Sequence, residues 1–415
     1  MQKFKPYDIV HVDLFEPENL QLPPDDNRGK YIVVWWKEIA LGHFFIAPAI
    51  AVDEKAYQAQ IVSALSGALQ SYERKMNGLC LDWQTLLLNH NREDWQDKLK
   101  QILDPFMLEK FPEVVPVSVI ICTRNRPEYL HTCLDFLQKS ICRPQEIIVV
   151  DNAPTDNNTF KVVTHFEKII YVKEPRMGLD IARNTGIKNA SSAVVAFTDD
   201  DVQVHPLWTY RIWETFQPGV ISAMTGLIIA TQLETEAQYI FEKHWSFNRG
   251  FVDKLYDKIF FKNTFEDGPP VWEIGAGANM AFRKTIFDEV GFFNELLDVG
   301  AAGCNGDSEM WYRILKRGHT IAYNPRAIAF HTHRKEMKAL KKQIFYYMRG
   351  FAAAALLQQK QSPGSGYKKR IFVRLPRYYF SLVKKGFPFY RSQFQTLSSE
   401  MKGILSGLRY FYKNF

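Results

Sequence analysis

Four short apolar runs in the middle of the chain alternate with longer polar stretches. They lie at 117–122, 146–150, 169–172 and 193–197. Each intervening stretch exceeds the dozen or so residues that a crossover between parallel strands requires. The first crossover has Pro127 at a plausible first helical position and then leucines on one helical face, at Leu130, Leu134 and Leu137. The pattern therefore predicts an α/β fold with a doubly wound parallel sheet.

The residues before this alternation have a different pattern. Apolar and aromatic residues at 31–36 and 39–45 predict two strands that pair as a hairpin. Apolar residues at helical spacing within 56–76 predict a helix, and the prolines between 104 and 116 predict a domain boundary. We predict three parts: a smaller α+β N-terminal module of unknown role at 1–113, a central α/β domain at 114–335, and a helical, basic and aromatic extension at 336–415.

Polar residues follow the apolar runs, and the most conspicuous are three consecutive carboxylates. Asp199, Asp200 and Asp201 come directly after the fourth run, where mutual repulsion and lost hydration make an acidic triplet costly. A divalent cation such as Mg²⁺ or Mn²⁺ removes this cost by binding carboxylate and phosphate oxygens. A solvated acidic turn is the alternative, but the carboxyl end of a parallel strand is where such sheets bind ligands. No Gly-rich phosphate loop is present in the sequence.

Charge and cysteine content indicate which surfaces the protein binds and in which compartment it acts. The chain carries +7 overall, yet residues 367–415 contain eleven Lys or Arg and one acid, Glu400. Basic residues interleaved with aromatics are typical of segments that bind an anionic membrane surface, although nucleic acid attracts the same pattern. The five cysteines, Cys80, Cys122, Cys133, Cys142 and Cys304, have no CxxC spacing and suit reduced thiols. Because the sequence shows neither a signal peptide nor a membrane span, we expect a cytoplasmic protein that can also lie peripherally at the inner face of the cell membrane.

The ordered motifs of the central region resemble glycosyltransferase family 2. These are the segments VSVIICTRNR at 117–126, VVDN at 149–152, GLDIARNTG at 178–186 and TDDD at 198–201. The resemblance covers roughly 117–333 and implies a GT-A nucleotide-sugar-binding fold. It also implies an inverting transferase that depends on a divalent cation and takes its sugar from a nucleotide-diphosphate donor.

The resemblance assigns donor-binding roles by position. It places Thr123 and Arg124 near the nucleobase, and it makes Asp151 the acceptor of a hydrogen bond from the imide N–H of the base. Arg183 faces the base or the diphosphate, with a salt bridge on the helix surface as the alternative, and Asp199 contacts the ribose. Asp201 binds the metal that bridges the two phosphates, and Asp200 is a supporting position. Asp180 departs from the small polar residue common in the family.

The acceptor side is assigned in the same way. Gly277 and Asn279 belong to a G-x-N-x-x-F segment that resembles the family's loop beside the transferred sugar, with a glycine-rich strand bulge as the alternative. Asp307 matches the catalytic base at the start of a helix, and helical spacing also makes it a candidate N-cap. The family commonly has an acid just before this position, but Gly306 stands here, so Glu309 is a second candidate base.

A late segment at 323–333 ends with two histidines, His331 and His333. His331 matches the family's late histidine that completes the metal site or contacts the diphosphate, and His333 points the same way if the strand continues.

The sequence thus predicts an inverting glycosyltransferase of glycan, polysaccharide or glycolipid biosynthesis, with a divalent cation (Mg or Mn) as cofactor. Its expected partners are a nucleotide-diphospho-sugar donor and a carbohydrate or lipid-linked acceptor. The basic tail adds a possible membrane surface, and no nucleic acid is expected. The alternative is a non-catalytic module that binds nucleotide sugars or glycans on the same fold. A nucleotidyltransferase would need the missing Gly-rich loop.

Overall fold

A computed structural model describes residues 4–16, 20–24, 26–76, 83–88, 92–107 and 110–415. Cys80 lies outside these ranges. The strands are β1 (Tyr7–Asp13), β2 (Gly29–Trp36), β3 (Ile39–Ile46), β4 (Val114–Thr123), β5 (Arg143–Asn152), β6 (Ile169–Glu174), β7 (Val194–Asp199), β8 (Val202–Val204), β9 (Ile221–Ala230), β10 (Lys254–Tyr256), β11 (Asn279–Arg283) and β12 (Thr320–His331).

Fifteen α-helical segments are assigned in the described ranges. They are α1 (Glu54–Lys75), α2 (Trp83–Leu88), α3 (Arg92–Leu103), α4 (Pro127–Gln138), α5 (Asn158–Val163), α6 (Leu179–Asn189), α7 (Trp208–Thr215), α8 (Glu236–His244), α9 (Lys258–Thr264), α10 (Ile286–Val290), α11 (Gly306–Lys316), α12 (Met337–Gln361), α13 (Tyr367–Lys369), α14 (Leu375–Gly386) and α15 (Leu397–Asn414).

The large sheet confirms the predicted α/β fold. Its order is β10-β12-β9-β11-β7-β4-β5-β6, with β8 added beside β12. The four predicted runs form β4, β5, β6 and β7, and these four strands pair with one another in parallel. Apolar clusters cover both faces of the sheet, which is why these strands are nearly continuous apolar runs rather than alternating ones.

The strand order fixes where a ligand can bind. The chain proceeds outward from β4 to β5 and β6, then returns to place β7 on the other side of β4. In open α/β sheets, ligands bind at such a switch point, here beyond the carboxyl ends of β4 and β7. The register pairs Cys122 with Asp199, so Thr123 and the acidic triplet leave the sheet side by side. Asp200 and Asp201 form the turn between β7 and β8.

A second, three-stranded sheet carries the predicted hairpin. β2 and β3 pair antiparallel, and β1 pairs with β2 in parallel. Helix α1 packs its buried residues Tyr57, Ile61, Leu65 and Leu69 against this sheet, as the helical spacing predicts. The opposite face of the sheet meets the central domain through an apolar cluster that includes Tyr31, Leu227 and Ile328. The domain boundaries at 113 and 335 stay predictions.

Helices α12–α15 form the predicted helical C-terminal extension. Helix α12 buries a row of residues that includes Leu340, Ile344, Met348 and Ala352, and these pack against α8, α14 and α15. Among the described residues, no helix is both long and apolar enough to cross a membrane.

Helix α11 begins two residues earlier than the candidate N-cap Asp307 suggests. Its N-cap is Asn305, which adopts a left-handed conformation with φ of 97°. Asp307 therefore lies inside the first turn, where it accepts a hydrogen bond from the N–H of Ser308 at 2.7 Å. The helix ends before Gly318, whose φ of 86° fits the expected glycine terminator.

Candidate active site

The acidic triplet is held by the loop that follows β4. The Thr123 hydroxyl donates to Asp200 Oδ2 at 2.7 Å, and the Arg126 guanidinium forms an ion pair with both oxygens of Asp200. Arg126 Nη1 also donates to Asp201 Oδ2 at 3.0 Å. Asp200 is buried, so hydrogen bonding and the arginine charge offset its desolvation. Thr123 and Arg126 thus both hold the Asp200 carboxylate in place, and the contact of Thr123 with a nucleobase stays a prediction.

A candidate cation site lies between Asp201 and His331. Asp201 Oδ1 is 3.6 Å from His331 Nε2, and burial lowers the pKa of His331 to about 4, which leaves its ring neutral at neutral pH. Two lone-pair donors at this separation fit adjacent positions around one Mg²⁺ or Mn²⁺ ion. No group of three or more His, Cys, Asp or Glu ligands occurs in the described part of the chain. A pair of protein ligands suits a cation that takes its remaining ligands from water and phosphate.

The end of β5 offers a candidate base-binding position. Asp151 is fully buried, and its Oδ2 accepts a hydrogen bond from the Tyr171 hydroxyl at 2.8 Å. Its Oδ1 is enclosed and accepts no hydrogen bond from any described residue. Burial raises the pKa of Asp151, while Tyr171 and Thr159 oppose the rise. An incoming N–H donor would satisfy Oδ1. Arg124, by contrast, is exposed and contacts the Met177 sulfur.

A carboxylate from a distant loop organises the start of α6. Asp298 accepts hydrogen bonds from the backbone N–H groups of Leu179, Asp180 and Ile181 at 2.6, 2.9 and 3.3 Å. Asp180 and Arg183, one turn apart on α6, then form a buried ion pair at 3.0 Å. The salt bridge proposed as the alternative role of Arg183 therefore exists, but in the interior of the protein rather than on the surface.

Arg183 connects the donor side to Asp307. A Cβ atom placed on Gly277 would lie 2.5 Å from Arg183 Nη2 and 3.2 Å from Asp307 Oδ2, so only glycine fits between these groups. The Gly277 N–H donates to Asp307 Oδ2 at 2.9 Å. Burial lowers the pKa of Arg183, but the charges of Asp180, Asp199 and Asp307 overcome this and raise it. Asp199 at the end of β7, Asp180 in the first turn of α6 and Asp307 in the first turn of α11 thus all act electrostatically on the Arg183 guanidinium.

Asp199, at the end of β7, interacts electrostatically with the same groups. Burial raises its pKa, the charge of Asp201 raises it further, and Arg183 opposes the rise. Asp307 also contributes to the rise, which places Asp199 within electrostatic reach of both the candidate cation site and the candidate base.

Two predicted site residues are engaged elsewhere. Glu309 is buried and both its oxygens pair with Arg313 Nε at 2.9 Å, so it cannot meet an acceptor hydroxyl. Asn279 is fully buried, and its amide bonds to Trp208 Nε1 and to the carbonyl oxygens of Leu227 and Ala327. The amide of Asn279 thus joins β11 to neighbouring elements, and its contact with the transferred sugar stays a prediction.

The sequence reasoning missed three residues of this site. Arg126 neutralises the triplet, Asp298 anchors α6, and Arg334 Nη1 lies 3.8 Å from Asp201 Oδ2. Arg126 was visible as the second arginine of the TRNR segment. Asp298 lies in a loop without a motif, and no local pattern identifies it.

Comparison with known proteins agrees with this geometry. Residues 118–291 match the sequence model described as glycosyl transferase family 2. This segment contains β4–β7, the acidic triplet and Gly277, whereas Asp307 and His331 lie beyond it.

Characterised relatives cover a similar region. Glycosyltransferase AglE of Haloferax volcanii is 26% identical over 235 residues, which are 55% of this chain and 70% of that protein. Glycosyltransferase GlyA of Streptococcus pneumoniae is 24% identical over 198 residues, which are 46% of this chain but 27% of that protein. The chain thus spans a small part of one relative and most of the other.

Among solved structures, a mannosyltransferase of Pyrobaculum calidifontis in complex with GDP-Man and Mn²⁺ superposes with a TM-score of 0.44 at 16% identity. The match covers 76% of this chain and 93% of that one. Residues 118–291 of this chain thus match glycosyl transferase family 2.

Proposed function

We propose that the protein is an inverting glycosyltransferase that transfers a sugar, a hexose or a related residue, from a nucleotide-diphosphate donor to an acceptor hydroxyl. The observation that carries the proposal is the arrangement around Arg183, which pairs with Asp180 at 3.0 Å and lies beside Gly277 and Asp307. In the proposal, this arrangement links the donor-binding residues to the candidate base.

The donor would lie across the switch point of the sheet. Asp151 accepts from the base, Asp199 contacts the ribose, and Arg183 faces the diphosphate. Asp201 and His331 would hold a divalent cation, which supplies positive charge that stabilises the departing diphosphate. Arg126 already carries part of the compensating charge beside Asp201.

Asp307 is the proposed general base. It takes the proton of the acceptor hydroxyl while that oxygen forms a bond to the anomeric carbon and the bond from that carbon to the diphosphate oxygen breaks. The Gly277 N–H and Ser308 N–H orient the carboxylate by donating one hydrogen bond to each oxygen. Glu309, paired with Arg313, has no such freedom.

The experiment for this proposal measures slow hydrolysis of a panel of nucleotide sugars by the purified protein, with Mn²⁺, with Mg²⁺ and with chelator. We expect one donor to release free sugar of inverted anomeric configuration in a cation-dependent manner. A donor that binds without any turnover, in the presence of candidate acceptors as well, would favour the non-catalytic binding module instead.

We further propose that the acceptor is lipid-linked and met at an anionic membrane surface, where the protein acts from the cytoplasmic side. Six apolar residues on and after α13–α14 are exposed: Phe372, Val373, Tyr378, Phe380, Phe387 and Phe389. Lys384 Nζ lies 4.5 Å from the ring centre of Phe380, and the Arg391 guanidinium lies 5.2 Å from that of Phe389. Basic groups flanking exposed rings suit an interface between acyl chains and anionic headgroups.

The same extension contacts the loop that leads to the candidate base. The Tyr367 hydroxyl donates to the Pro269 carbonyl at 2.7 Å, and the Arg370 guanidinium stacks over Trp272 at 4.8 Å. This loop continues directly to Gly277, which bonds to Asp307. A membrane-bound extension would therefore lie beside the acceptor side of the cleft.

A further inference from the structure

A chain of buried hydrogen bonds runs from the candidate cation site to the N-terminal sheet. His331 Nδ1 lies 3.0 Å from His333 Nδ1, and His333 Nε2 lies 2.8 Å from Glu242 Oε2. The Tyr31 hydroxyl donates to Glu242 Oε1 at 3.0 Å. All four side chains are buried. They come from four separate places: β12, the residues just after it, α8 and β2.

The directions of these hydrogen bonds determine which ring nitrogen of His331 keeps its lone pair for a cation. The Glu242 carboxylate only accepts, so His333 Nε2 carries a proton. When that is the only ring proton of His333, its other nitrogen, Nδ1, accepts, and His331 Nδ1 is the donor to it. His331 Nε2 is left with its lone pair, directed towards Asp201 Oδ1 at 3.6 Å. Two acceptor atoms facing each other in the interior are stabilised by a cation between them.

Neighbouring side chains hold the residues of this hydrogen-bonded series in place. The Gln238 side chain donates to the His333 carbonyl at 3.3 Å, and the same Gln238 completes a capping box with Thr235 at the start of α8. Glu242 Oε1 also accepts from Ser246 Oγ at 3.1 Å. These contacts hold the backbone of His333 and the carboxylate of Glu242 in fixed positions.

Tyr31 brings the N-terminal module into this arrangement. It belongs to β2, at the face of the small sheet that packs on β9 and β12. A second link between the two parts is the ion pair of Arg28 with Glu234 at 2.8 Å, close to the start of α8. The N-terminal sheet therefore contacts the helix that carries Glu242 and donates a hydrogen bond to that carboxylate.

We propose that Glu242, His333 and Tyr31 are positioning residues that hold His331 with Nε2 towards the cation, and that the N-terminal sheet thereby completes the cation site. This inference rests on the proposed cation-dependent function. Carboxylates that accept from the distal nitrogen of a metal-bound histidine fix its tautomer, and their loss typically weakens metal affinity about 10–100-fold. Here a second histidine transmits that effect, and a tyrosine of the N-terminal module orients the carboxylate.

The test uses the full chain and measures Mn²⁺ affinity by titration calorimetry, with and without nucleoside diphosphate. We expect Glu242→Gln to weaken Mn²⁺ binding about 10–100-fold. The amide N–H can donate to His333, which reverses the donor and acceptor roles in the hydrogen bonds that lead to His331. Tyr31→Phe should weaken it by a smaller factor, since Ser246 still donates to Glu242. Tyr239→Phe removes a hydroxyl from the same helix and interface, outside the chain, and should leave affinity unchanged.

Electron spin-echo spectroscopy of bound Mn²⁺ supplies a second readout. The wild-type protein should show a ¹⁴N coupling from His331 that disappears in His331→Ala and is reduced in Glu242→Gln. Thermal denaturation verifies that each variant is folded, and the near-isosteric Tyr31→Phe tests the idea if Glu242→Gln does not fold. Wild-type affinity and an unchanged ¹⁴N coupling in the Glu242 and Tyr31 variants would overturn this inference alone. A wild-type protein that binds no Mn²⁺ would overturn the cation part of the proposed function as well.

Discussion

The carboxylate of Asp180 occupies the space that a side chain at position 306 would fill. A Cβ atom built on Gly306 would lie 1.9 Å from Asp180 Oδ2, although the two residues are far apart in sequence. Both positions depart from the pattern common in the family, which has a small polar residue at the first and an acid at the second. We infer that the two departures form one exchange, in which the acid beside position 306 comes from α6 instead of α11.

This exchange predicts strong coupling between the two positions. Gly306→Glu alone forces a second carboxylate against Asp180, and we expect it to destabilise the protein by about 2–4 kcal/mol. Asp180→Ser combined with Gly306→Glu should recover a large part of that loss, because the added acid then takes the vacated space beside Arg183. A double-mutant cycle from chemical denaturation measures the coupling. Additive effects of the two changes would contradict the exchange.

Asp180 should also leave a signature in the pH dependence of stability. Burial raises its pKa from 3.8 to about 7, with Arg183 opposing the rise. The folded protein then binds more protons at this site than the unfolded chain between about pH 4 and 7, so this group makes the free energy of unfolding fall as pH rises through that window. Asp180→Asn should remove this component. The difference between the two denaturation profiles isolates it from other groups, and parallel profiles would refute the assignment.

Asp307→Asn tests the proposed base. The amide keeps the size of the side chain and can still accept from the Gly277 N–H, but it cannot take a proton. We expect transfer to fall about 10²–10⁴-fold while the affinity for the nucleoside diphosphate, measured calorimetrically, changes little. Asp288→Asn, an exposed acid on α10, is the matched control. Transfer by Asp307→Asn at a rate near wild type would exclude Asp307 as the base.

Asp151 predicts the strength and selectivity of nucleotide binding. A hydrogen bond from a base imide to a buried carboxylate contributes about 1.5–3 kcal/mol, so Asp151→Asn should weaken binding of UDP or GDP roughly 10–100-fold. Tyr171→Phe keeps the charge and removes only the orienting hydrogen bond, and its effect should be smaller. If adenosine diphosphate binds as well as the imide-bearing nucleotides, Asp151 does not read the base.

The exposed rings of the extension predict membrane binding. The wild-type protein should sediment with vesicles that contain anionic lipid, less so in high salt, and hardly with purely zwitterionic vesicles. The triple variant Phe380→Ser, Phe387→Ser, Phe389→Ser should lose this binding yet hydrolyse donor normally. Replacement of the exposed Ile141 and Val220 by serine is the control.

Other outcomes of this experiment contradict membrane docking. Equal vesicle binding by the triple variant and the wild type would do so. A loss of self-association or of nucleic-acid binding, with vesicle binding intact, would assign the same surface to a different partner.

The sequence alone determined the parts of this protein that depend on local pattern. The parallel strands β4–β7 are apolar runs separated by crossover-length stretches, and their ends carry polar residues because only the ends leave the core. The order of those runs predicts the sheet, and the sheet predicts that Thr123, Asp151 and Asp201 gather at one edge.

Tertiary structure decided which of those polar groups are free. Asn279 matches a family position, but Trp208 and two backbone carbonyls from distant segments bond to its amide, while Glu309 pairs with Arg313 one turn further along α11. Asp298, Glu242 and Tyr31 have no motif, and only folding brings Asp298 against α6, Glu242 against His333 and Tyr31 against Glu242. Hydrogen bonds between residues some hundred or more positions apart leave no period in the sequence, so their pairing appears only once the chain is folded.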